Sequence, residues 1–380
     1  MTDVPATDVP ATAPADSVTG LVRRERVRAF DLARGLAVFF MILVHVLWHW
    51  GTPETWTTPI GQVISFLGGP TAAPTFMFLM GASLAFSSRS DFASLAARGA
   101  WLVFLGYLLN VLRGVIPAEI GLRTGFITAA QIAPFDAGWL LTTVDIHHMA
   151  GLSLIAIAAL RIWARPGLVW LGLAVVLALA APWLRSLHFG IAFLDAPLSP
   201  ILGSAPNVYY AVVPWLVYPL MGAVFGSIVA RASNRRSVFR LAGLLGLALC
   251  GAGLVLVAIE QPGFDVATYW REPVSLIVGI SGIVLVWLAI CDVVTRQAWL
   301  DRRLGIVYGW SARVIPMYFS HWIIVGWGIG VTGFRALPLP AVLIAMAVGV
   351  VITSYASRLA LPLESPPWLR RRSEAPAKAG

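Results

Sequence analysis

Apolar residues along this chain gather into long blocks separated by short polar breaks. A block of about twenty apolar residues matches the hydrocarbon thickness of a bilayer. Such blocks fall near residues 29–48, 61–88, 94–112, 144–162, 167–184, 208–230, 240–259, 273–294, 306–330 and 337–359. The pattern predicts an all-α, polytopic integral membrane protein of about ten transmembrane helices.

Composition agrees: 58% of the 380 residues are hydrophobic, 12% are charged, and the mean hydropathy is +0.81, far from a soluble domain. Charge adds orientation, because Lys and Arg collect in short cytoplasmic loops. With the N-terminus inside, twenty of the 27 basic residues fall in the tails and inner loops. Five fall outside (Arg113, Arg123, Arg185, Arg271, Arg335), and Arg34 and Arg313 lie within spans. Both termini are therefore expected in the cytoplasm and the protein in the cell (cytoplasmic) membrane. The net charge of +9 is spread over many short loops, so it reflects topology and gives no case for nucleic acid.

Residues 1–22, with the near-repeat "TDVPATDVPAT", are too poor in large apolar groups to fold alone and are expected to be a disordered cytoplasmic tail. Residues 23–362 form the expected membrane domain, and 363–380 a basic cytoplasmic tail. No cleavable signal peptide is expected before the first span. Cys250 and Cys291 lie inside spans, where packing is the simpler role.

The first block, "RAFDLARGLAVFFMILVHVLWHW", carries Asp31, Arg34, His45 and His49. At about 100° per residue these four fall within roughly 60° of one helical face, with Arg34 and His45 roughly 16 Å apart along the axis. Ionisable groups within a bilayer usually face a bundle interior or watery cavity, so the stripe predicts a polar lumen. Asp31 can also serve as an N-terminal helix charge, and His49 between Trp48 and Trp50 as an interfacial anchor. His45, flanked by apolar residues, has no such simple role.

An Arg, ten residues and a His within an opening helix of the form "D-x-x-RG" resembles the transmembrane acyltransferases, including the acyltransferase-3 family and the heparan-α-glucosaminide N-acetyltransferase catalytic domain. "PTFMFLMGASLAF" (residues 74–86) is similar to the "F-x-F-x-x-G" segment of the latter group. "VDIHHMAGLSLI" is similar to a "D-x-L-H-x-x-G-L" helix opening, putting Asp145 and His148 on matching positions, with His147 in place of Leu. "VVPWLVYPLMGAVFG" (212–226) resembles a "P-W-x-x-x-x-x-G-x-x-x-G" helix. "YFSHW" resembles the "Y-x-x-H" late in acyltransferase-3 proteins, although no Ser precedes Tyr318 by four residues and Pro316 interrupts that helix.

The resemblance implies an acetyl-CoA-dependent O- or N-acyltransferase, with cytoplasmic acyl-CoA as donor and a sugar or cell-envelope glycan as acceptor near the outer face. Acyl transfer needs a base for the acceptor proton and donors for the developing oxyanion. His45 is the expected base, with Arg34 toward the donor. Arg98 and Arg313 are further candidates for the CoA phosphates because guanidinium matches phosphate in two-pronged geometry, and snorkelling to the interface is the other role open to them. Asp145 and His148, three residues apart, share a helical face on which the carboxylate can orient the imidazole. His321 can join the lumen or sit at the interface. His45 and His49 have the spacing of a helical metal pair, but no Glu follows in an "H-E-x-x-H" arrangement and no cysteine ligand is near, so no metal is expected. The broken segment "GGPTAAP" (residues 68–74) should line a cavity, since lipid cannot satisfy its backbone groups. A multi-pass transporter for a small polar solute is the alternative, but no internal repeat is evident. Homo-oligomerisation stays open.

Overall fold

The computed structural model describes residues 26–88, 90–261, 269–364 and 366. The expected tail at 1–22, most of the basic tail after 363, and Arg89 lie outside the described residues.

Among the described residues, ten helices are long and apolar enough to cross a membrane: α1 Arg28–Trp50, α2 Pro59–Phe86, α3 Phe92–Arg123, α4 Ile146–Trp163, α5 Leu168–Arg185, α6 Val212–Arg231, α7 Arg235–Glu260, α8 Val274–Thr295, α9 Val314–Thr332 and α10 Leu339–Leu359. No strand forms among the described residues. The chain is an all-α, multi-pass membrane protein.

Contacts at the helix ends show that successive helices run up and down. At the end where α1 begins, Arg28 pairs with Asp301, Arg34 reaches Ser83 at the close of α2, and Arg161 at the close of α4 reaches Ser90 before α3. At the far end the Thr52 N–H donates to the Leu337 carbonyl before α10, and the Ser275 N–H at the start of α8 donates to Glu260 at the end of α7.

α1 is the central post, packed against α2, α8, α9 and α10. α6 is also interior, with 83% of its apolar window buried, whereas α7 with 17% faces outward. α2 and α6 approach backbone to backbone. A Cβ on Gly222 would lie 1.9 Å from the Phe78 carbonyl oxygen, and one on Gly226 would lie 2.2 Å from that of Ala82. Small residues permit this approach where lipid offers no hydrophobic drive between helices.

Among the described residues, two helices carry a widened turn of π type. In α2 it spans Leu67–Thr71 and holds Pro70; in α3 it spans Val111–Val115. The second carries α3 past its expected end near 112 to Arg123. Pro117 falls in the first turn after the bulge, where its missing N–H costs least. α9 begins later than expected, at Val314 instead of near 306, after a break that leaves Gly305–Ser311 as a separate short helix. Pro316 thus sits in the first turn, among donors that have no intrahelical partner in any case.

Candidate active site

The stripe on α1 divides into two polar clusters. Nearer the start of the helix, Arg34 NH2 donates to Ser83 Oγ at 2.7 Å and NH1 lies 3.3 Å from Asp31 Oδ1. The Ser83 hydroxyl in turn donates to the Leu79 carbonyl at 2.6 Å, so Arg34 is clamped between two helices. Glu364, in the turn Leu361–Glu364, lies within electrostatic reach of both Arg34 and Arg98. Trp101 on α3 anchors that turn by donating to the Leu363 carbonyl at 2.9 Å. Arg313 lies apart, with Nε on the Gly309 carbonyl and its charge facing Arg358.

In the far half of the bundle, His45 Nδ1 and His321 Nε2 are 2.9 Å apart, with the rings nearly parallel at 15°. Three bonds fix the tautomers. His321 Nδ1 faces the Met317 carbonyl at 3.3 Å, and a carbonyl only accepts, so that nitrogen carries hydrogen. His321 Nε2 in the neutral ring is then a lone pair, and His45 Nδ1 must donate to it. His45 Nε2 is left as the basic nitrogen. By the same reasoning His49 Nδ1 donates to the His45 carbonyl at 2.9 Å. The indole of Trp322 covers the group, 4.2 Å from the His45 ring centre and 5.2 Å from that of His49.

Behind Trp322 stands a charged pair. The Arg113 guanidinium lies 4.2 Å over the Trp322 ring and its NH1 is 2.8 Å from Asp145 Oδ2. Asn110 Oδ1 accepts from its NH2 at 3.2 Å. Asp145 caps α4, accepting from the Ile146 N–H at 2.7 Å and facing the Tyr318 hydroxyl. Burial works against its charge, but Arg113, the Ile146 N–H, the Tyr318 hydroxyl and His147 together hold the carboxyl below the usual range. His148 turns inward on the cap itself, its Nδ1 accepting from the Asp145 N–H at 3.2 Å, and packs against Tyr107. His147 packs edge-on against Tyr318 at 4.3 Å.

A narrow cavity of about 30 Å³ runs along α1, lined by Ala37, Met41, His45, Gly68, Phe76 and Tyr318 among others. The widened turn of α2 thus reaches the cavity, as expected of backbone that lipid cannot satisfy. On the same helix the Thr71 and Thr75 hydroxyls, one turn apart and buried, have no partner among the described residues.

Of the residues singled out in the sequence, Asp31 and Arg34 therefore meet at one end, with Arg98 facing the same carboxyl as Arg34. His45, His49 and His321 meet in the far half, with Asp145 behind Trp322, whereas His148 faces its own helix start and Arg313 stands elsewhere. Sequence reasoning missed Arg113, counted as a loop residue, together with Tyr318 and Trp322. The available signal was Asn110, three residues before Arg113 and polar within an apolar run. No group of three metal-ligating side chains forms among the described residues.

The family model described as heparan-alpha-glucosaminide N-acetyltransferase, catalytic, matches residues 26–262. The chain belongs to this family. It is thus placed among membrane acetyltransferases. The match covers the α1 stripe, Arg113 and Asp145 and stops before α9, so His321, Tyr318 and Trp322 enter the site from beyond it. A comparison with curated proteins finds no match.

Proposed function

We propose that the protein moves an acetyl group from cytoplasmic acetyl-CoA to a hydroxyl or amine of a sugar or glycan acceptor arriving from the opposite face, with His45 as the general base. The observation that carries this reading is the His45–His321 pair beside the cavity. Its tautomers leave one basic nitrogen on the ring that sits on the stripe with Arg34. The basic residues of the tails and alternate loops support a cytoplasmic N-terminus, which puts Arg34 on the donor side.

In the forward step His45 Nε2 takes the proton of the acceptor O–H or N–H as that atom attacks the thioester carbonyl. The C–S bond breaks, CoA leaves as a thiolate, and the His45 proton neutralises it. While His45 is an imidazolium its Nδ1–H remains bonded to His321, which spreads the charge and holds the ring plane. The unpartnered Thr71 and Thr75 hydroxyls are the donors we propose for the oxyanion. Arg34, held by Asp31 and Ser83, presents a planar fork to CoA phosphate, with Arg98 nearby.

The test is turnover of radiolabelled acetyl-CoA by the purified protein with and without glycan acceptors. His45→Ala should fold, bind acetyl-CoA and lose about 10²- to 10⁴-fold in rate. Near-wild-type turnover in that variant would overturn the mechanism, and an acetylated His45 in the wild type would replace direct transfer with a covalent route.

A further inference from the structure

A second opening lies on the α9–α10 side of α1. Between α9 and α10, with Trp50 of α1 at its back, runs a groove of about 360 Å³ lined by Ile324, Leu337, Ala345, Gly349 and Ile352 and presenting no polar surface. The Trp50 indole N–H is already spent on the Val325 carbonyl at 3.0 Å, so the ring offers the groove only its apolar faces. It is a slot for a hydrocarbon chain, reaching from the far end of the bundle toward its middle.

What separates this slot from ordinary lipid-facing surface is the loop at its mouth. Leu337 lines the groove and donates its N–H to the Trp50 carbonyl at 2.7 Å. Two residues earlier, Arg335 takes a left-handed backbone conformation, φ +54, that side chains rarely adopt. This is held by its N–H on the His49 carbonyl at 2.8 Å. Its guanidinium lies over Trp56 at 4.7 Å and Phe334 at 4.8 Å, with Nε toward the Trp48 carbonyl. Among the described residues its two terminal nitrogens meet no protein acceptor, which leaves the two-pronged edge suited to a phosphate. Phe334, the next residue back, is 6.4 Å from the His49 ring.

We infer that this groove and Arg335 bind a long-chain lipid phosphate that carries the acceptor sugar: the chain lies against Trp50 and α10, the phosphate meets Arg335, and the sugar is held over His49 toward His45. The carrier role rests on the acyl-transfer reading above; the lipid-phosphate site does not.

The test uses the full chain in phosphatidylcholine vesicles containing a long-chain alkyl phosphate with a photoreactive diazirine in its chain. A phosphatidylcholine bearing the same group is the control. The alkyl phosphate should label residues 339–352 several-fold more than the control lipid. Arg335→Gln should bring labelling down to the control level, and Ala345→Phe should remove it by filling the slot. Both positions are at least partly exposed, and thermal melts check that the variants fold. Equal labelling by the two lipids, or labelling indifferent to Arg335, would overturn the site. A sugar joined to the alkyl phosphate should then be acetylated at a KM at least tenfold below that of the free sugar, and this advantage should vanish in Arg335→Gln. Equal KM values would overturn the carrier role. Selective labelling with no acetylation of either acceptor would support the lipid-phosphate site and count against acyl transfer, so the two failures are distinguishable.

Discussion

At the scale of single residues, the buried charges decide what the bundle tolerates. Arg113 and Asp145 are only 12% and 10% exposed at the side chain. Removing one leaves the other charged without a partner, which typically costs about 3–5 kcal/mol. Arg113→Leu should therefore lower the melting temperature sharply. Arg113→Leu with Asp145→Asn should recover most of it, because Asn keeps the helix cap without the stranded charge. Thermal melts of the three variants in one detergent give the comparison, and an unrescued double variant would show that Arg113 acts through Trp322 instead. Glu272 makes a second case. It is fully buried just before α8, with Oε2 accepting from the Tyr218 hydroxyl at 2.8 Å. Burial pushes its carboxyl up to about 8 from 4.5. The folded state therefore holds a proton that the unfolded chain releases near pH 4.5, so stability falls as pH rises between these values and levels off above pH 8. In Glu272→Gln the melting temperature should lose this component of its slope between pH 5 and 8. An unchanged slope would mean that Glu272 is ionised in the fold. Neither residue was legible beforehand: Arg113 reads as loop charge and Glu272 as one acid in a polar break, since burial depends on what distant segments bring over them.

Elements were far more legible, because twenty apolar residues in a row have few other fates. All ten helices were readable from hydropathy, most with ends within a few residues of their observed limits. The misplaced boundaries have local causes, the π turn that carries α3 onward through Arg113 and the break at Ala312–Arg313 that shortens α9. Hydropathy does not register either, as both change backbone hydrogen bonding and leave composition alone. Pairing of helices was not read from the sequence, although the Gly222 and Gly226 spacing on α6 is what permits the close approach to α2. Gly222→Ala would drive a methyl into the Phe78 carbonyl at 1.9 Å, and backbone cannot rotate away as a side chain can. Overpacking typically costs about 1–3 kcal/mol, and this contact belongs at the upper end. Gly172→Ala on α5, with nothing within 4 Å, is the matched control and should melt like the wild type or slightly higher, given the better helix propensity of Ala. If Gly222→Ala melts with the control, the close approach of α2 and α6 is not what holds them together.

For the whole molecule, the face of α1 provides a line between the two clusters. Arg34, Ala37, Met41 and His45 follow one another at three- and four-residue steps, and the last three line the cavity together with Ala73 and Phe76 of α2. The stripe itself was visible in the sequence from the spacing of Asp31, Arg34, His45 and His49. Its partner His321, 276 residues away, was legible only as a candidate, because spacing within one helix says nothing about which other helix stands opposite. On the proposed mechanism the narrow arm of the donor would run past Ala37 and the flexible Met41 while its charged end stays at Arg34. At about 30 Å³ the passage holds roughly one water, so the proposed route requires α1 and α2 to part, and the widened turn Leu67–Thr71 is where we propose that α2 yields. Ala73 is only half-buried, so Ala73→Phe can fill the passage with little strain elsewhere. This variant should raise the KM for acetyl-CoA at least tenfold while its melting temperature and its labelling by the lipid phosphate stay at wild-type levels, since the lipid groove lies on the other side of α1. Unchanged donor kinetics in a folded Ala73→Phe protein would mean that the acetyl group reaches His45 by a route other than the α1–α2 seam.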